Sequence, residues 1–235
     1  MALPKLNTPT HELELPSTGE KIKFRPFLVK EQKLLILAQE SKDETQLVDT
    51  MTQLIDSCTF GKVDAATSPI FDVEYIFLKL RSKSVGETVN VSVICQDDEE
   101  TKAKVKINLE EVSVHMTADH TNEVKVNEQT KLVMKYPRLK DMNKVPENAD
   151  DYSKMFLLLT NCIHEIHFDD KIYNSVDTTE KELDEFVDSM DTTQLETVLQ
   201  FFTTMPKLRH PIKFINPKTK VKNEVVLEGL QSFLV

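Results

Sequence analysis

The sequence predicts an α+β protein in which helices pack on antiparallel β-hairpins, followed by a helical C-terminal part closed by a final hairpin. Three observations predict this fold class. Apolar and polar residues alternate in paired segments near residues 13–24 and 88–109, as they do in half-buried hairpins. Between and after these pairs, apolar residues recur with the period of a helix. The alternation then returns near residues 210–227, close to the C-terminus.

The first hairpin, predicted at residues 13–15 and 22–24, leads into a helix at residues 29–39. Pro26 ends the second strand because its nitrogen cannot donate a hydrogen bond to a neighbouring strand. The apolar residues of the helix form a face that is too broad for one neighbouring element to cover. They are Val29, Leu34, Leu35, Ile36, Leu37 and Ala38. We therefore expect further chain to pack on this helix and the whole stretch to seed the first domain.

Two further helices are predicted before residue 88. The second helix has a cap candidate at Ser41 or Asp43 and stops at Gly61. The third helix has Pro69 at its first position, where the missing N–H costs nothing. Its buried face is predicted to consist of Val73, Ile76, Phe77 and Leu80, and Tyr75 and Leu78 are predicted to enlarge it.

The middle of the chain is predicted to be mainly β. Residues 89–94 and 103–109 alternate on the two sides of an acidic turn at residues 96–100, which is the strongest hairpin signal in the sequence. Three short strands are predicted to follow, at residues 111–116, 123–126 and 131–136.

A polar segment at residues 137–151, which contains two prolines, separates strand-like from helix-like sequence. We place the domain boundary there, giving a first domain at residues 1–140 and a second at residues 141–235. Thr179 and Glu182 form a capping-box pattern, and a later helix begins after Asp191. The helices predicted in the second domain span residues 151–166, 179–190 and 192–205, and the final hairpin joins residues 210–215 to 221–227.

The composition favours a protein partner. The net charge of −10 argues against nucleic acid as the main ligand, because phosphate contacts need a surplus of lysine and arginine. The three cysteines are widely spaced and form no CxxC pair, which predicts a reducing compartment without a disulfide framework or a cysteine-based zinc site. No stretch approaches the roughly 20 apolar residues of a membrane span, so we expect no membrane association.

No catalytic motif is recognisable: GxSxG, HExxH and GxxxxGK[ST] do not occur. His164 and His167 are three residues apart on a predicted helix, where both imidazoles could reach one ion, but no cysteine lies in register, so a histidine pair at a helix end is the expectation. Cys95 is at a hairpin tip, as in zinc ribbons, but no second cysteine or histidine lies within three residues. We predict no catalytic residue, no cofactor and no metal site.

Two C-terminal features are candidate partner-binding surfaces. Residues 165–196 carry eleven acidic residues and two lysines, whereas residues 207–222 carry six basic residues and no acidic one. This segregation is typical of two solvated faces, and it also suggests that the basic hairpin docks on an acidic protein surface. The apolar tail could form a short helix that occupies a partner's groove or folds back onto residues 192–205. The candidate residues are Lys213, Lys218, Lys220, Lys222, Leu230, Phe233 and Leu234.

Four long segments of the chain are distinctive: LPSTGEKIKFRPFLVKEQKLLILAQES (15–41), DVEYIFLKLRSKSVGE (72–87), KLVMKYP (131–137) and NEVVLEGLQSFL (223–234). Together they resemble the T4-type bacteriophage baseplate hub family. The resemblance implies a non-enzymatic protein that binds other hub proteins during assembly of a contractile tail, in the host cytoplasm and, if retained, in the virion.

Other functions and states stay open beside this expectation. One is a transient assembly chaperone or catalytic assembly factor that acts on a hub subunit and is absent from the finished virion. A peptidoglycan-hydrolysing enzyme is a weaker alternative, because neither a positioned acid nor a zinc site is evident. A homo-oligomer is also left open.

Overall fold

The computed structural model describes residues 6–41, 43–142 and 150–233. Within these residues the chain forms seven α-helices and eleven β-strands, and the strands form small antiparallel sheets. This arrangement confirms the predicted α+β class. Contacts group the chain into two compact units, of which unit 1 comprises Met1–His115 and Lys207–Val235, and unit 2 comprises Met116–Pro206. None of the described helices has both the length and the apolarity needed to cross a membrane.

The helices are α1 (Val29–Ser41), α2 (Glu44–Cys58), α3 (Ile70–Val85), α4 (Leu139–Met142), α5 (Asp151–Cys162), α6 (Glu180–Asp188) and α7 (Thr192–Thr204). The strands are β1 (His11–Glu14), β2 (Lys21–Phe24), β3 (Thr88–Ile94), β4 (Lys102–Asn108), β5 (Ser113–His115), β6 (Glu123–Lys125), β7 (Thr130–Met134), β8 (Ile163–Phe168), β9 (Lys171–Asn174), β10 (Lys207–Ile215) and β11 (Lys222–Glu228). A 3-10 helix, Leu230–Phe233, ends the described chain.

Helix α3 is the centre of unit 1. Ile76, Phe77, Leu78 and Leu80 have no exposed surface, so the buried face includes Leu78, by which the sequence predicted it to be enlarged. It contacts α2, β5, β10 and the 3-10 helix. Asp72 in its first turn accepts hydrogen bonds from the backbone N–H and the hydroxyl of Ser17, which ties the turn between β1 and β2 to this core.

The last hairpin of the chain belongs to unit 1. Strand β10 pairs with β11 on one side and with β5 on the other, with Leu208 opposite Val114. This division differs from the predicted domains at residues 1–140 and 141–235, since the pairing of β10 with β5 groups the final hairpin with the N-terminal elements. Of the predicted boundary segment at 137–151, residues 143–149 lie outside the described residues.

Unit 2 consists of one antiparallel sheet, in the order β6-β7-β8-β9, and helices that share a core with it. Helices α6 and α7 each begin with a capping box, at Thr179 with Glu182 and at Asp191 with Gln194, as the sequence predicted for the first of them. The core includes Leu132, Leu159, Val198 and Phe201 among other buried residues.

The helix predicted at residues 151–166 ends four residues early. Helix α5 stops at Cys162, and the chain continues directly as β8, which pairs with β7 and with the unpredicted β9. Both isoleucines, Ile163 and Ile166, are buried. Their spacing of three therefore satisfied a helical pattern although the backbone is extended there.

Candidate protein-binding surfaces

Helix α1 presents most of its apolar side chains outward. Val29, Leu34, Ile36 and Leu37 are between 45 and 69 % exposed. At 100° per residue they span an arc of about 160° on one side of the helix. Further chain does pack on α1, since α2 contacts it, but this broad face is not covered by the described residues, in which the buried positions of α1 are Glu31 and Ala38. We call the four exposed residues the α1 surface.

A hydrogen-bonded ion pair fixes which side of α1 faces inward. Arg25 donates to both carboxylate oxygens of Glu31, at 2.9 and 2.7 Å. The backbone N–H of Leu28 and the hydroxyl of Ser57 donate to the same carboxylate, at 2.6 and 3.1 Å. These bonds, the Arg25 bond above all, lower the pKa of Glu31 to about 2. Because a buried carboxylate that keeps its charge must stay beside its donors, the apolar side of α1 is turned outward.

The basic hairpin predicted from the sequence is β10–β11, and opposite charges face part of it. Glu228 lies 3.0 Å from Lys207 and 2.7 Å from Arg209, and Glu224 lies 3.4 Å from Lys213. The positive charge of residues 207–222, which contain no acidic residue, is thus partly neutralised by the two glutamates of β11.

Further lysines are at the end of this hairpin, where two apolar residues are also exposed. The Lys218 side chain is 68 % exposed and its Nζ lies 4.0 Å from Glu100. Ile215 is exposed and lies opposite Lys222 in the strand register. We call this region the hairpin end, defined by Ile215, Lys218, Lys220, Val221 and Lys222.

Asp97, in the turn between β3 and β4, holds the loop of the hairpin end in place. The amide nitrogen of Asn216 donates to both oxygens of Asp97, at 3.0 and 3.1 Å, and the amide nitrogen of Asn223 donates at 2.8 Å. The hydroxyl of Thr219 also donates to Asp97. These bonds, led by the Thr219 bond, lower the pKa of Asp97. The loop that carries Lys218 and Lys220 is therefore ordered before any partner binds.

The apolar tail is part of the core of unit 1. Leu230 is 5 % exposed and Phe233 is fully buried. Their 3-10 helix packs on α3, β3 and β11, and the backbone N–H of Leu230 donates to Glu74 at 3.0 Å. The tail therefore folds back onto elements of unit 1, whereas the sequence suggested residues 192–205 or a partner's groove. Leu230 and Phe233 face the interior instead of a partner, and Leu234 lies outside the described residues.

Unit 2 contains a groove of about 650 Å³, whose lining residues come from the sheet, from helices α6 and α7 and from the loops beside them. Ile166, Phe168 and Tyr173 line it from the sheet, and Phe186 lines it from α6. The charged residues in its lining are both acidic, Asp177 and Glu182. The Glu182 carboxylate is held by the backbone N–H and the hydroxyl of Thr179, at 2.8 and 2.7 Å. The groove thus combines apolar surface with fixed negative charge.

A comparison with protein-family models decides the family. The model described as T4 bacteriophage base plate protein matches residues 8–235. The chain belongs to this family. Comparisons with curated proteins and with solved structures found no match. Membership of the family places this baseplate protein in the phage tail and implies interaction with other baseplate proteins.

The histidine pair of the baseplate protein is on a strand, so the predicted shared helical face is wrong. Residues three apart on a strand point to opposite sides of the sheet. The Nε2 atom of His167 lies 2.8 Å from Glu165, its neighbour two residues away on the same side, and His164 lies 3.9 Å from the same carboxylate. The hydrogen bond with His167 lowers the pKa of Glu165, and the nearby His164 lowers it further by a smaller amount.

Cys95, Asp97 and Asp98 lie close enough together to hold a metal ion. Their hydrogen bonds point to another role. Asp97 receives the donors of the β10–β11 loop, and Asp98 accepts bonds from the backbone N–H and the hydroxyl of Thr101, at 3.0 and 2.6 Å. Burial raises the pKa of the Cys95 thiol, which keeps it protonated and a poor metal ligand. In the baseplate protein this cluster stabilises two turns.

Two surfaces of the baseplate protein escaped sequence reasoning: the outward direction of α1 and the groove of unit 2. Both depend on tertiary contacts. Asp169 and Asp170 are typical turn residues, and their position between residues 163–168 and 171–174 could have predicted the hairpin of β8 and β9. That signal could have placed Phe168 and Tyr173 on one side of a sheet, since Tyr173 pairs with Ile166.

Proposed function

We propose that this chain is a non-enzymatic hub protein of the baseplate, which binds other hub proteins while a contractile tail is assembled in the host cytoplasm. The family match over residues 8–235 supports a role in the baseplate. The resemblance of residues 15–41, 72–87, 131–137 and 223–234 to hub proteins supports the more specific role. The molecule would act by presenting a shaped surface to its partners.

The observation that carries this proposal is the α1 surface. A helix that pairs its buried charge and exposes four large apolar side chains leaves apolar area in water, which is unfavourable by roughly 25 cal/mol per Å². Apolar patches on soluble proteins commonly mark interaction sites. A groove of about 280 Å³ between α1 and α2, lined by Leu34 and Leu54, adjoins this surface. A partner helix or strand would bury both together.

The lysines of the β10–β11 hairpin form a second proposed contact. Lys213 and Lys218 keep side chains that are 76 and 68 % exposed, although each has an acidic neighbour. Exposed ion pairs of this kind are worth at most about 1 kcal/mol, so an acidic protein surface can compete for these lysines at little cost. Such a contact would speed association and make it sensitive to salt.

Co-expression with the other baseplate proteins of the same phage, followed by mass measurement of the complexes, tests the proposal. The double variant Leu34→Gln, Leu37→Gln should lose at least one baseplate partner that the parent chain captures. The matched control is Ile172→Gln, Val176→Gln, which removes two exposed apolar side chains from unit 2 and should retain that partner. Unchanged capture by the α1 variant would contradict the proposed role of this surface.

Retention in the particle separates the hub protein from a transient assembly chaperone. A structural hub protein should be found in purified, finished virions in a fixed ratio to other baseplate proteins, as measured by quantitative mass spectrometry. Its absence from virions whose assembly needs it would favour the chaperone.

A further inference from the structure

We infer that the groove of unit 2 binds the hairpin end of a second copy of this chain. The inference rests on the proposed function in one respect, because it names the acidic surface that the hairpin lysines would meet. The two surfaces are complementary in charge and in apolar content. The groove has acidic and aromatic lining residues, and the hairpin end carries exposed lysines beside exposed Ile215 and Val221.

The negative charge of the chain is concentrated in unit 2. Residues 116–206 contain eighteen acidic and nine basic residues, a net charge of −9, whereas the remainder of the chain has a net charge of −1. Asp177 and Glu182 carry this charge into the groove itself. A field of one sign around a cleft attracts ligands of the opposite sign and disfavours acidic ones. The occupant should therefore be a basic segment.

The apolar part of the groove requires an anchor as well as charge. Phe168 and Tyr173 line it and are 43 and 47 % exposed, so they leave aromatic surface uncovered. Ile215 at the hairpin end is 58 % exposed and lies opposite Lys222, so an apolar anchor and a positive charge stand side by side. This pair is complementary to Tyr173 and Asp177 of the groove, which offer an aromatic ring and a carboxylate.

The hairpin end is also ordered in advance. Asn216, Asn223 and Thr219 fix its loop to Asp97, so docking would immobilise little chain beyond the lysine side chains. A preordered segment binds with a smaller loss of conformational entropy than a flexible one. The contact joins two different surfaces. Two copies could therefore form a dimer in which each docks its hairpin end in the groove of the other, or many copies could join head to tail into a ring or chain.

Self-association of the full chain tests the inference, measured by sedimentation over a wide concentration range at low and high salt. The parent chain should form species larger than a monomer, and added salt should weaken them. The hairpin variant Lys218→Glu, Lys222→Glu and the groove variant Tyr173→Ala, Asp177→Lys should each weaken association by roughly tenfold or more. The matched control Lys102→Glu, Lys104→Glu makes the same charge change on exposed positions of β4 and should associate like the parent.

Mixing the two variants gives the decisive result. The hairpin variant keeps an intact groove and the groove variant keeps an intact hairpin end, so the mixture should form a 1:1 complex at concentrations at which each variant alone is mainly monomeric. A parent chain that stays monomeric at every concentration would overturn the inference. It would also be overturned by association that survives both variants or that the control weakens equally.

The inference and the proposed function can fail separately. The α1 variant Leu34→Gln, Leu37→Gln should retain self-association while it loses a baseplate partner. Loss of self-association in that variant would show that copies meet through α1 and would overturn the groove as their contact. A monomeric parent chain that still captures baseplate proteins through α1 would overturn the inference alone.

Discussion

Units 1 and 2 differ in how far apart in sequence the residues of their cores lie. Unit 2 is one continuous segment whose sheet and helices follow each other closely in sequence. Unit 1 needs both ends of the chain, since β10, β11 and the 3-10 helix complete a core begun by α3. Long-range pairing of this kind makes unit 1 dependent on contacts between residues more than a hundred positions apart, such as Asp97 with Asn216.

The two units also differ in how they treat charge. Unit 1 has almost no net charge but encloses ionised groups with their partners. Besides Glu31, it encloses Lys79, whose Nζ donates to the carbonyl oxygens of Leu109 and Glu110 at 3.3 and 3.1 Å. Burial lowers the pKa of Lys79. Unit 2 carries its excess of carboxylates mostly on exposed positions of α6 and the adjoining loops. Enclosed charge specifies the position of a helix, whereas exposed charge is available to select a partner.

The largest effect should come from the core that joins the two segments of unit 1. Phe77→Ala should lower the free energy of unfolding by about 3–5 kcal/mol, because Phe77 is fully buried. Amide hydrogen exchange should speed up both in α3 and in β10–β11, since one core holds them. The matched control is Leu159→Ala, which should cost about 2–5 kcal/mol and act on residues 116–206. Undiminished protection of β10–β11 in Phe77→Ala would contradict a shared core.

Acid should act on unit 1 through Glu31. The folded protein holds the pKa of Glu31 at about 2, below its ordinary value of 4.5, so the folded state binds protons less readily than the unfolded state. The stabilisation is complete above about pH 4.5 and is lost as the pH falls towards 2. Glu31→Gln should cost about 3 kcal/mol at neutral pH, since it leaves Arg25 without its ionised partner.

Urea unfolding measured at neutral pH and near pH 3 tests this expectation. The difference in stability between the two conditions should be smaller in Glu31→Gln than in the parent chain. Glu40→Gln changes an exposed carboxylate on the same helix and should stay within about 0.5 kcal/mol of the parent. An equal loss of stability with acid in Glu31→Gln and the parent would assign acid sensitivity to other groups.

Local patterns predicted most elements of both units. Alternation placed β3 and β4, and Asp43, Thr179 and Asp191 cap helices as their positions before apolar periodic segments suggested. These features depend on neighbours within a few residues, so the sequence displays them directly. The strand β8 was missed because the spacing of Ile163 and Ile166 fits a helical period, and only the pairing with β7 shows that the backbone is extended there.

The surfaces were harder to predict because tertiary contacts set them. Nothing local distinguishes the outward side of α1 from its inward side until Arg25 and Ser57 meet Glu31. The tail shows the same limit: its apolar spacing was recognised, but its place on α3 follows from the pairing of β10 with β5. The hairpin lysines were identifiable from the sequence because they form a run of like charge. The groove of unit 2 was not, because its lining residues come together only in the folded chain.

The smallest effect should come from a local device in unit 2. Thr179→Ala removes the capping box at the start of α6 and should cost about 1 kcal/mol, because the backbone N–H of Glu182 loses its acceptor. Exchange of the α6 amides should speed up, while α3 in unit 1 should be unaffected. Thr193→Ala, near the start of α7 but outside its capping box, should be neutral or slightly stabilising, since alanine is the better helix former. If both variants behaved alike, the cap would contribute nothing, and α6 would be held by its packing through Leu183 and Val187 alone.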